Sequence, residues 1–295
     1  MSGSECLSAS QGHVGKRLSV AIPGSVVSDT PHLREKTAKL GTIARACSIF
    51  GVTEIILYPD DAHRDQRADL QFCSDILTYI ETPQYLRRRL FNLSPTFRFT
   101  GILPPLQIPS HNVPSFMPDV KVGDFRDGVV VARNGSDVEV DAGLKEAVKC
   151  RGSYRIGERV ALQFISLGKE LRGEIVNASK ISIYWGYRVT RSKFKLASTI
   201  ERERFELKIG TSRYGTPVEE IWSEISKSLN SVESVLVTFG SPRMGLTDIL
   251  SQEGRNPNDL FHFLVNTVPA QHVATVRTEE ALFVTLGILN AMKLK

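Results

Sequence analysis

The chain has 295 residues, of which 41% are hydrophobic and 23% are charged. This balance is typical of a globular protein with one large or two ordinary domains. No apolar run approaches the length needed to cross a bilayer, which argues against a membrane protein. The net charge of +5 and the pI of about 9.0 permit a polyanionic partner without establishing one.

Residues 1–16 are rich in Ser and Gly and lack the apolar core of a signal peptide. They predict a disordered tail and a cytoplasmic location. The four cysteines lie far apart without a C-x-x-C pair, at Cys6, Cys47, Cys73 and Cys150. This spacing predicts neither a metal site nor a disulfide framework, and it fits a reducing compartment.

Strand and helix patterns alternate through roughly the first 90 residues. Apolar runs predict strands at Leu18 to Ile22 and at Glu54 to Tyr58. Between them, Gly51 ends a helical pattern that runs through Leu33, Thr37, Leu40, Ala44 and Cys47. Two more helices are predicted at Asp69 to Leu77 and Pro83 to Phe91. This order predicts an α/β fold, a mostly parallel sheet with helices on both faces.

The pattern changes at Leu103, where a linker or extended arm is predicted from Pro104, Pro105, Pro109, Pro114 and Pro118. Short β-rich pieces follow at Gly128 to Ala132, Val138 to Val140, Arg159 to Phe164 and Arg172 to Val176. Asn134-Gly135 is a hairpin signal between two of them. A segment of about 60 residues built in this way predicts a small β-barrel, for which an OB-fold is the natural candidate.

Helix–strand alternation resumes after Tyr184, with a strand at Glu206 to Ile209, a helix at Val218 to Leu229 and a strand at Val235 to Phe239. We therefore expect residues 118–183 to be an insertion in one α/β domain formed by residues 17–117 and 184–295. The apolar run Phe261 to Val265 predicts a further strand, and a polar loop follows it. Helical spacing then runs through Ala281, Leu282, Thr285, Leu286, Leu289 and Met292.

Thr278 is predicted to be the N-cap of this last helix, with Glu279 and Glu280 in its first turn. A bare helix N-terminus attracts phosphate, whereas two carboxylates there repel it. The loop before the helix is therefore a poor phosphate cradle. It better suits a ligand with little negative charge, or one that bears a cation such as a sulfonium.

Three further features have both an ordinary and a functional interpretation. The loop Gly240 to Gly245 follows a strand at its carboxyl end, where α/β sheets bind ligands, but it could also be an ordinary turn. Arg45 lies off the apolar stripe of its helix, as a solvated surface arginine also would. Basic residues beside an aromatic in the barrel fit single-stranded nucleic acid or a merely solvated face, at Arg151, Tyr154, Arg155 and Arg159.

Four segments together resemble the SPOUT RNA methyltransferases, in which the C-terminal chain forms a trefoil knot whose loops hold S-adenosylmethionine. RLSVAIPG, from Arg17, is similar to the first strand and turn of that family, and IARACSIF, from Ile43, is similar to its first motif. FGSPRMGL, from Phe239, resembles the first knot loop, and Phe261 to Asn290 resembles the third motif. The resemblance is to the archaeal and eukaryotic branch with an inserted OB-fold.

The resemblance implies S-adenosylmethionine as the cofactor, held mainly by main-chain groups at Thr238, Gly240, Ser241, Gly245, Val265, Asn266, Thr267, Val268, Gln271, Thr275, Val276, Thr278 and Ala281. It also implies a homodimer in which Arg45 acts in its own or the partner subunit's active site. Where the family has a glycine after Gln271, this chain has His272. Histidine tolerates a left-handed backbone there only at some cost.

The implied reaction is methyl transfer to ribosomal RNA, with N3 of uridine favoured and the ribose 2′-O possible. A rival interpretation is a non-catalytic RNA-binding or scaffold protein that keeps the knot. Another is a nucleotide-dependent α/β enzyme, which is disfavoured because no G-x-G-x-x-G follows the first strand and no P-loop is present.

Overall fold

The computed structural model describes residues 16–111, 113, 119–177 and 181–293. Its strands are β1 (Arg17–Pro23), β2 (Glu54–Tyr58), β3 (Phe125–Asn134), β4 (Asp137–Asp141), β5 (Val148–Arg151), β6 (Arg159–Leu167), β7 (Leu171–Val176), β8 (Arg188–Arg191), β9 (Leu207–Pro217), β10 (Ser234–Thr238) and β11 (Phe263–Asn266). Its α-helices are α1 (Leu33–Ile49), α2 (Arg67–Glu81), α3 (Gln84–Leu90), α4 (Leu196–Arg202), α5 (Trp222–Ser231), α6 (Leu246–Gln252), α7 (Pro257–Leu260) and α8 (Thr278–Lys293). The predicted tail up to residue 15, with Cys6, and residues 112 and 114–118 of the proline-rich segment lie outside the described residues.

Six strands form one parallel sheet in the order β11-β9-β10-β1-β2-β8. An apolar core joins one face of the sheet to α1, α2, α5 and α8, and a second core joins the other face to α4, α6 and α7. The predicted parallel sheet with helices on both faces is therefore confirmed. Because all strands point the same way, the loops that follow them meet at one carboxyl edge.

The predicted small barrel is also present. Five strands close it in the order β3-β4-β5-β7-β6, around a core that includes Val130, Val140, Leu162 and Phe164. Gly135 has a φ of 63° in the turn between β3 and β4, as the Asn-Gly hairpin signal predicts. The barrel strands lie within residues 118–183, whereas the independence of that segment as a domain stays a prediction.

The described part of the proline-rich segment packs against α1. Gly41 permits this approach, because a Cβ there would lie 2.9 Å from Cδ of Pro104. Leu106 and Ile108 are buried in the core of the sheet domain. The segment is therefore an arm held along the domain rather than a free linker.

Some element boundaries differ from the sequence predictions. Strand β9 runs to Pro217 instead of ending at Ile209, and α5 begins at Trp222 because Val218 still donates its N–H to Asn266, at 3.0 Å. The sequence did not predict β5 or β8, which are short and carry charged residues at alternate or terminal positions. No helix in the described ranges is long and apolar enough to cross a bilayer.

Candidate functional site

The carboxyl edge of the sheet brings together the two loops that the sequence singles out. Gly240 to Gly245 follow β10, and residues 267–277 connect β11 to α8. The hydroxyl of Thr278 donates to the carbonyl oxygen of Gly240 at 3.3 Å. This hydrogen bond joins the start of α8 to the first loop at the strand ends, which are the usual place for a ligand in an α/β fold.

Internal hydrogen bonds fix the first loop. The N–H of Ser241 donates to the carbonyl oxygen of Met244 at 2.9 Å, and the N–H of Met244 donates to Oγ of Ser241 at 3.0 Å. The N–H of Gly245 donates to Oδ2 of Asp248 at 3.1 Å, where α6 begins. A Cβ on Gly240 would lie 3.0 Å from the carbonyl oxygen of Met244. The loop is thus a tight turn whose backbone a ligand can approach closely.

Tyr58 supports this loop from inside the protein. It is fully buried, and its hydroxyl donates to the carbonyl oxygen of Phe239 at 2.6 Å. Burial, with the nearby charges of Asp60 and Glu253, raises the pKa of Tyr58 well above its ordinary value. The hydroxyl therefore keeps its proton and holds the last residue before Gly240 in place.

The second loop is open. Oδ1 of Asn266 accepts from the N–H of Val268 at 3.0 Å, and Nε2 of Gln271 donates to the carbonyl oxygen of Val273 at 2.9 Å. Within the described part of the chain, the backbone N–H groups of residues 272–276 donate to no protein acceptor. His272 is exposed and does not have a positive φ, so the backbone there carries no left-handed strain.

The start of α8 differs from the prediction in one detail. Thr278 is the first helical residue rather than the N-cap, because Glu280 accepts a hydrogen bond from the N–H of Arg277 at 2.8 Å and so caps the helix one residue earlier. Oε2 of Glu279 lies 3.2 Å from Nζ of Lys39, an ion pair between α8 and α1. Both first-turn carboxylates are therefore engaged by groups of the protein.

Lys39 also links the helix start to the segment before α1. Its Nζ donates to Oδ1 and Oδ2 of Asp29 at 2.8 and 2.9 Å. Burial acts to raise the pKa of Asp29, but the hydrogen bond and the charge of Lys39, together with hydrogen bonds from Thr30 and the backbone of Asp29, lower it overall. The Asp29–Lys39–Glu279 contacts fix the N-terminus of α8 beside α1.

The other residues predicted to bind the cofactor lie at the same edge with different exposures. Thr238 and Val265 are buried, and Oγ1 of Thr238 has no hydrogen-bond partner within the described residues. Thr275 is exposed, whereas the partly buried residues are Thr267, Val268, Val276 and Ala281. The structure brings the set together, and the contact of each with a cofactor stays a prediction.

Arg45 lies on α1 away from these loops. Its Nη1 donates to the carbonyl oxygens of Pro105 and Leu106, at 3.3 and 2.7 Å. Within one chain it therefore holds the proline-rich arm, a contact that the sequence did not predict. Its predicted role at an active site stays a prediction.

The four barrel residues predicted to bind RNA fall into two groups. Arg151 and Arg155 are exposed, and Tyr154 is partly buried against the barrel core. Arg159 instead forms ion pairs with Glu81 and Asp127, each at 2.6 Å, and these carboxylates are almost wholly buried. Its charge is compensated inside the protein, so the structure gives Arg159 a place in the contact between barrel and sheet domain.

Sequence reasoning missed one segment at the carboxyl edge. Residues Thr211 to Gly215 lie within β9, where the pairing with β11 shifts, and they contact the second loop. The signal in the sequence was the pair Gly210 and Gly215 around an Arg-Tyr dipeptide.

Comparison with known proteins gives a family and several relatives. Residues 17–289 match a family model described as "Putative RNA methyltransferase". A mouse protein named 28S rRNA (uridine-N(3))-methyltransferase is 33% identical over 92% of this chain and 76% of its own length. The human protein of that name is 32% identical over 92% of this chain and 77% of its own. An uncharacterised protein of Halobacterium salinarum is 29% identical over 92% of this chain and 98% of its own.

Proposed function

The chain belongs to this family of RNA methyltransferases, and on that premise we propose that it methylates N3 of a uridine in ribosomal RNA, with S-adenosylmethionine as the methyl donor. The observation that carries the proposal is the similarity, over 92% of the chain, to mouse and human proteins named for that reaction. The paired loops at the carboxyl edge supply a place for the donor.

The chemistry of this edge fits S-adenosylmethionine. The free backbone N–H groups of residues 272–276 can donate to ring nitrogens of adenine, and Val268 and Val276 can flank the ring. The acidic start of α8 suits a cationic ligand better than a phosphate. We assign donor binding to Thr238, Gly240, Ser241, Gly245, Val265, Asn266, Thr267, Val268, Gln271, Thr275, Val276, Thr278 and Ala281. When bound, the donor supplies a methyl group that its sulfonium already activates.

The acceptor requires a second contribution from the protein. N3 of uridine must lose its proton, and a cation beside the base stabilises the resulting negative charge. We assign this role to Arg45. It lies six residues after Lys39, which is about 9 Å along α1 from the Lys39–Glu279 ion pair at the start of α8. A homodimer in which Arg45 of each subunit completes the site of the other would close this gap.

We also propose that the sheet domain is a SPOUT domain with a C-terminal trefoil knot. The supporting observation is that β11 lies at the sheet edge beyond β9, whereas α8 returns to pack on α1 through Phe50 and Phe283. The C-terminal chain therefore crosses the ends of β9 and β10. The closed five-stranded barrel supports an OB-fold at residues 118–183, with RNA contacts from Arg151, Tyr154 and Arg155.

The test is methyl transfer from S-adenosylmethionine to ribosomal RNA, followed by complete digestion and mass spectrometry of the nucleosides. We expect N3-methyluridine at one position of the large-subunit RNA. A product that carries the methyl group on the ribose 2′-O, or no transfer to any ribosomal RNA, would overturn the assignment.

A further inference from the structure

Strand β9 contains a short excursion at the carboxyl edge of the sheet. Ile209 and Gly210 pair with Phe263 and Leu264, but the next pair is Thr216 with Val265. The five residues 211–215 therefore have no partner in β11, although β11 continues without an insertion. Bulges of this kind are frequent beside active sites, where they redirect side chains. We name these residues, Thr211 to Gly215, the β9 excursion.

A glycine closes each end of the β9 excursion. A Cβ on Gly215 would lie 2.6 Å from the carbonyl oxygen of Leu264, and a Cβ on Gly210 would lie 2.8 Å from the ring of Phe261. At Gly215 the obstacle is backbone, which cannot rotate away. The excursion is thus tightly packed at one end against Phe261 and at the other against Leu264 of β11.

The excursion displays an aromatic and a cation together. Tyr214 is 77% exposed, and the guanidinium carbon of Arg213 lies 4.8 Å from the centre of its ring. The N–H of Tyr214 donates to Oγ of Ser212 at 3.2 Å, which closes the tip. Proteins that bind single-stranded nucleic acid use this pair of groups. The exposed ring stacks on a base, and the cation attracts the phosphate backbone.

Three hydrogen bonds tie the excursion to the candidate donor site. Nη1 of Arg213 donates to the carbonyl oxygen of Ala274 at 3.2 Å, and Nδ2 of Asn266 donates to the carbonyl oxygen of Arg213 at 2.9 Å. The hydroxyl of Thr211 donates to the carbonyl oxygen of Thr238 at 3.0 Å. The ring of Tyr214 is therefore held next to the second loop, on which our proposed function places the methyl donor.

We propose that the β9 excursion is an RNA-recognition element of the methyl-transfer site, in which Tyr214 stacks on an unpaired base and Arg213 fixes the distance from that base to the donor loop. The inference rests on the proposed function. Exposed arginines on the neighbouring loops, Arg243 and Arg277, make the same edge attractive to a polyanion. In this role Arg213 is a positioning residue and Tyr214 a binding residue.

The first test compares Tyr214→Ala, Tyr214→Phe and wild type with a ribosomal RNA fragment and S-adenosylmethionine. Loss of one stacked base weakens binding by roughly 5- to 150-fold. We expect Tyr214→Ala to raise KM for RNA by such a factor, with an unchanged Kd for the donor, and Tyr214→Phe to stay close to wild type. The matched control is Phe194→Ala. The guanidinium carbon of Arg202 lies 3.9 Å from the centre of the Phe194 ring, but Phe194 follows β8, the edge strand farthest from β11 in the sheet.

A second test does not depend on turnover. In Tyr214→Trp, stacking of a base on the new ring should quench its fluorescence when RNA binds, beyond the change seen in wild type. Wild type that binds RNA but methylates none would refute the proposed function, while quenching would still support the recognition element. Unchanged KM in Tyr214→Ala, or RNA binding without extra quenching in Tyr214→Trp, would overturn the inference.

Discussion

Two regions of the molecule differ in whether their polar groups are paired. One is the carboxyl edge of the sheet, and the other is the junction between the sheet domain and the barrel. At the carboxyl edge, the backbone N–H groups of residues 272–276 find no acceptor in the described protein, and Tyr214 is exposed. At the junction, Arg159 forms ion pairs with the buried carboxylates of Glu81 and Asp127. Groups left open to a ligand mark the proposed site, and groups paired internally mark a structural contact.

Asp127 has two further hydrogen-bond partners at the junction. Nε1 of Trp185 donates to Oδ1 of Asp127 at 2.9 Å, and the hydroxyl of Tyr85 donates to the carbonyl oxygen of the same residue. Burial alone would lower the pKa of Arg159, but Glu81 and Asp127 together raise it. The guanidinium therefore stays charged, and its ion pairs link the barrel to α2.

Beside this junction lies a cleft of about 1640 Å³, lined in part by Arg17, Tyr154, Tyr184 and Arg188. Small-molecule sites usually measure about 300–1000 Å³, so the cleft is large for a cofactor. It also lies at the amino edge of the sheet, opposite the two candidate loops. We therefore keep the donor at the carboxyl edge.

Breaking the junction should have the largest effect on stability. Arg159→Ala leaves Glu81 and Asp127 buried without their cation, and such a loss typically costs about 3–5 kcal/mol. Urea denaturation monitored in the barrel should show this loss. Arg155→Ala, an exposed arginine nearby in sequence, should change stability by no more than about 0.5 kcal/mol but weaken RNA binding. Equal stability of the two variants would mean that the junction is not the structural contact we describe.

A large side chain at the carboxyl edge should prevent donor binding without unfolding the protein. Ala281 lies in the first turn of α8. If it contacts the donor as we propose, a phenylalanine there should clash with the donor, and we expect at least a 100-fold loss of donor affinity, about 2.7 kcal/mol. Calorimetry with S-adenosylmethionine measures the donor affinity of each variant. Ala291→Phe is the control, since Ala291 is exposed near the other end of the same helix. Normal donor affinity in Ala281→Phe would place the donor elsewhere.

Variants of Arg45 test whether this residue of α1 acts in methyl transfer. If it acts on the acceptor, Arg45→Ala should reduce methyl transfer about 100-fold or more at saturating donor and leave donor affinity unchanged. Arg45→Lys should not fully restore the rate, because lysine lacks the planar fork. Since Arg45 also holds Pro105 and Leu106, the thermal stability of each variant must be measured. A variant that loses stability but keeps its turnover would show that Arg45 holds the proline-rich arm and does not act in methyl transfer.

The smallest expected effect is a pH dependence at the start of α8. The pKa of Asp29 is lower in the folded protein than in the unfolded chain, so its pairing with Lys39 stabilises the fold above the unfolded pKa and is lost as pH falls through the folded one. We expect wild type to be more stable than Asp29→Asn by about 1 kcal/mol at pH 7. The difference should disappear once the pH falls below the lowered pKa of Asp29 in the folded protein. A difference that persists in acid would contradict this pairing.

The sequence predicted what local patterns encode. The run Glu54–Tyr58, which is apolar after its first residue, is strand β2 at the predicted bounds, and the Asn-Gly turn lies where expected. Partners distant along the chain were not predictable: Arg159 meets Glu81, which lies 78 residues away, and nothing near either residue indicates it. The loop residues of the candidate site came from the resemblance to a family, because polar loops lack a periodicity that would reveal their contacts.

Hydrogen exchange measured by mass spectrometry, with and without S-adenosylmethionine, tests the account most directly. The free N–H groups of residues 272–276 should become protected when the donor binds, together with the loop Gly240 to Gly245. Peptides from the barrel and from the cleft at the amino edge should not change. Binding of the donor with protection confined to that cleft, and none in residues 267–278, would contradict the assignment of the carboxyl edge.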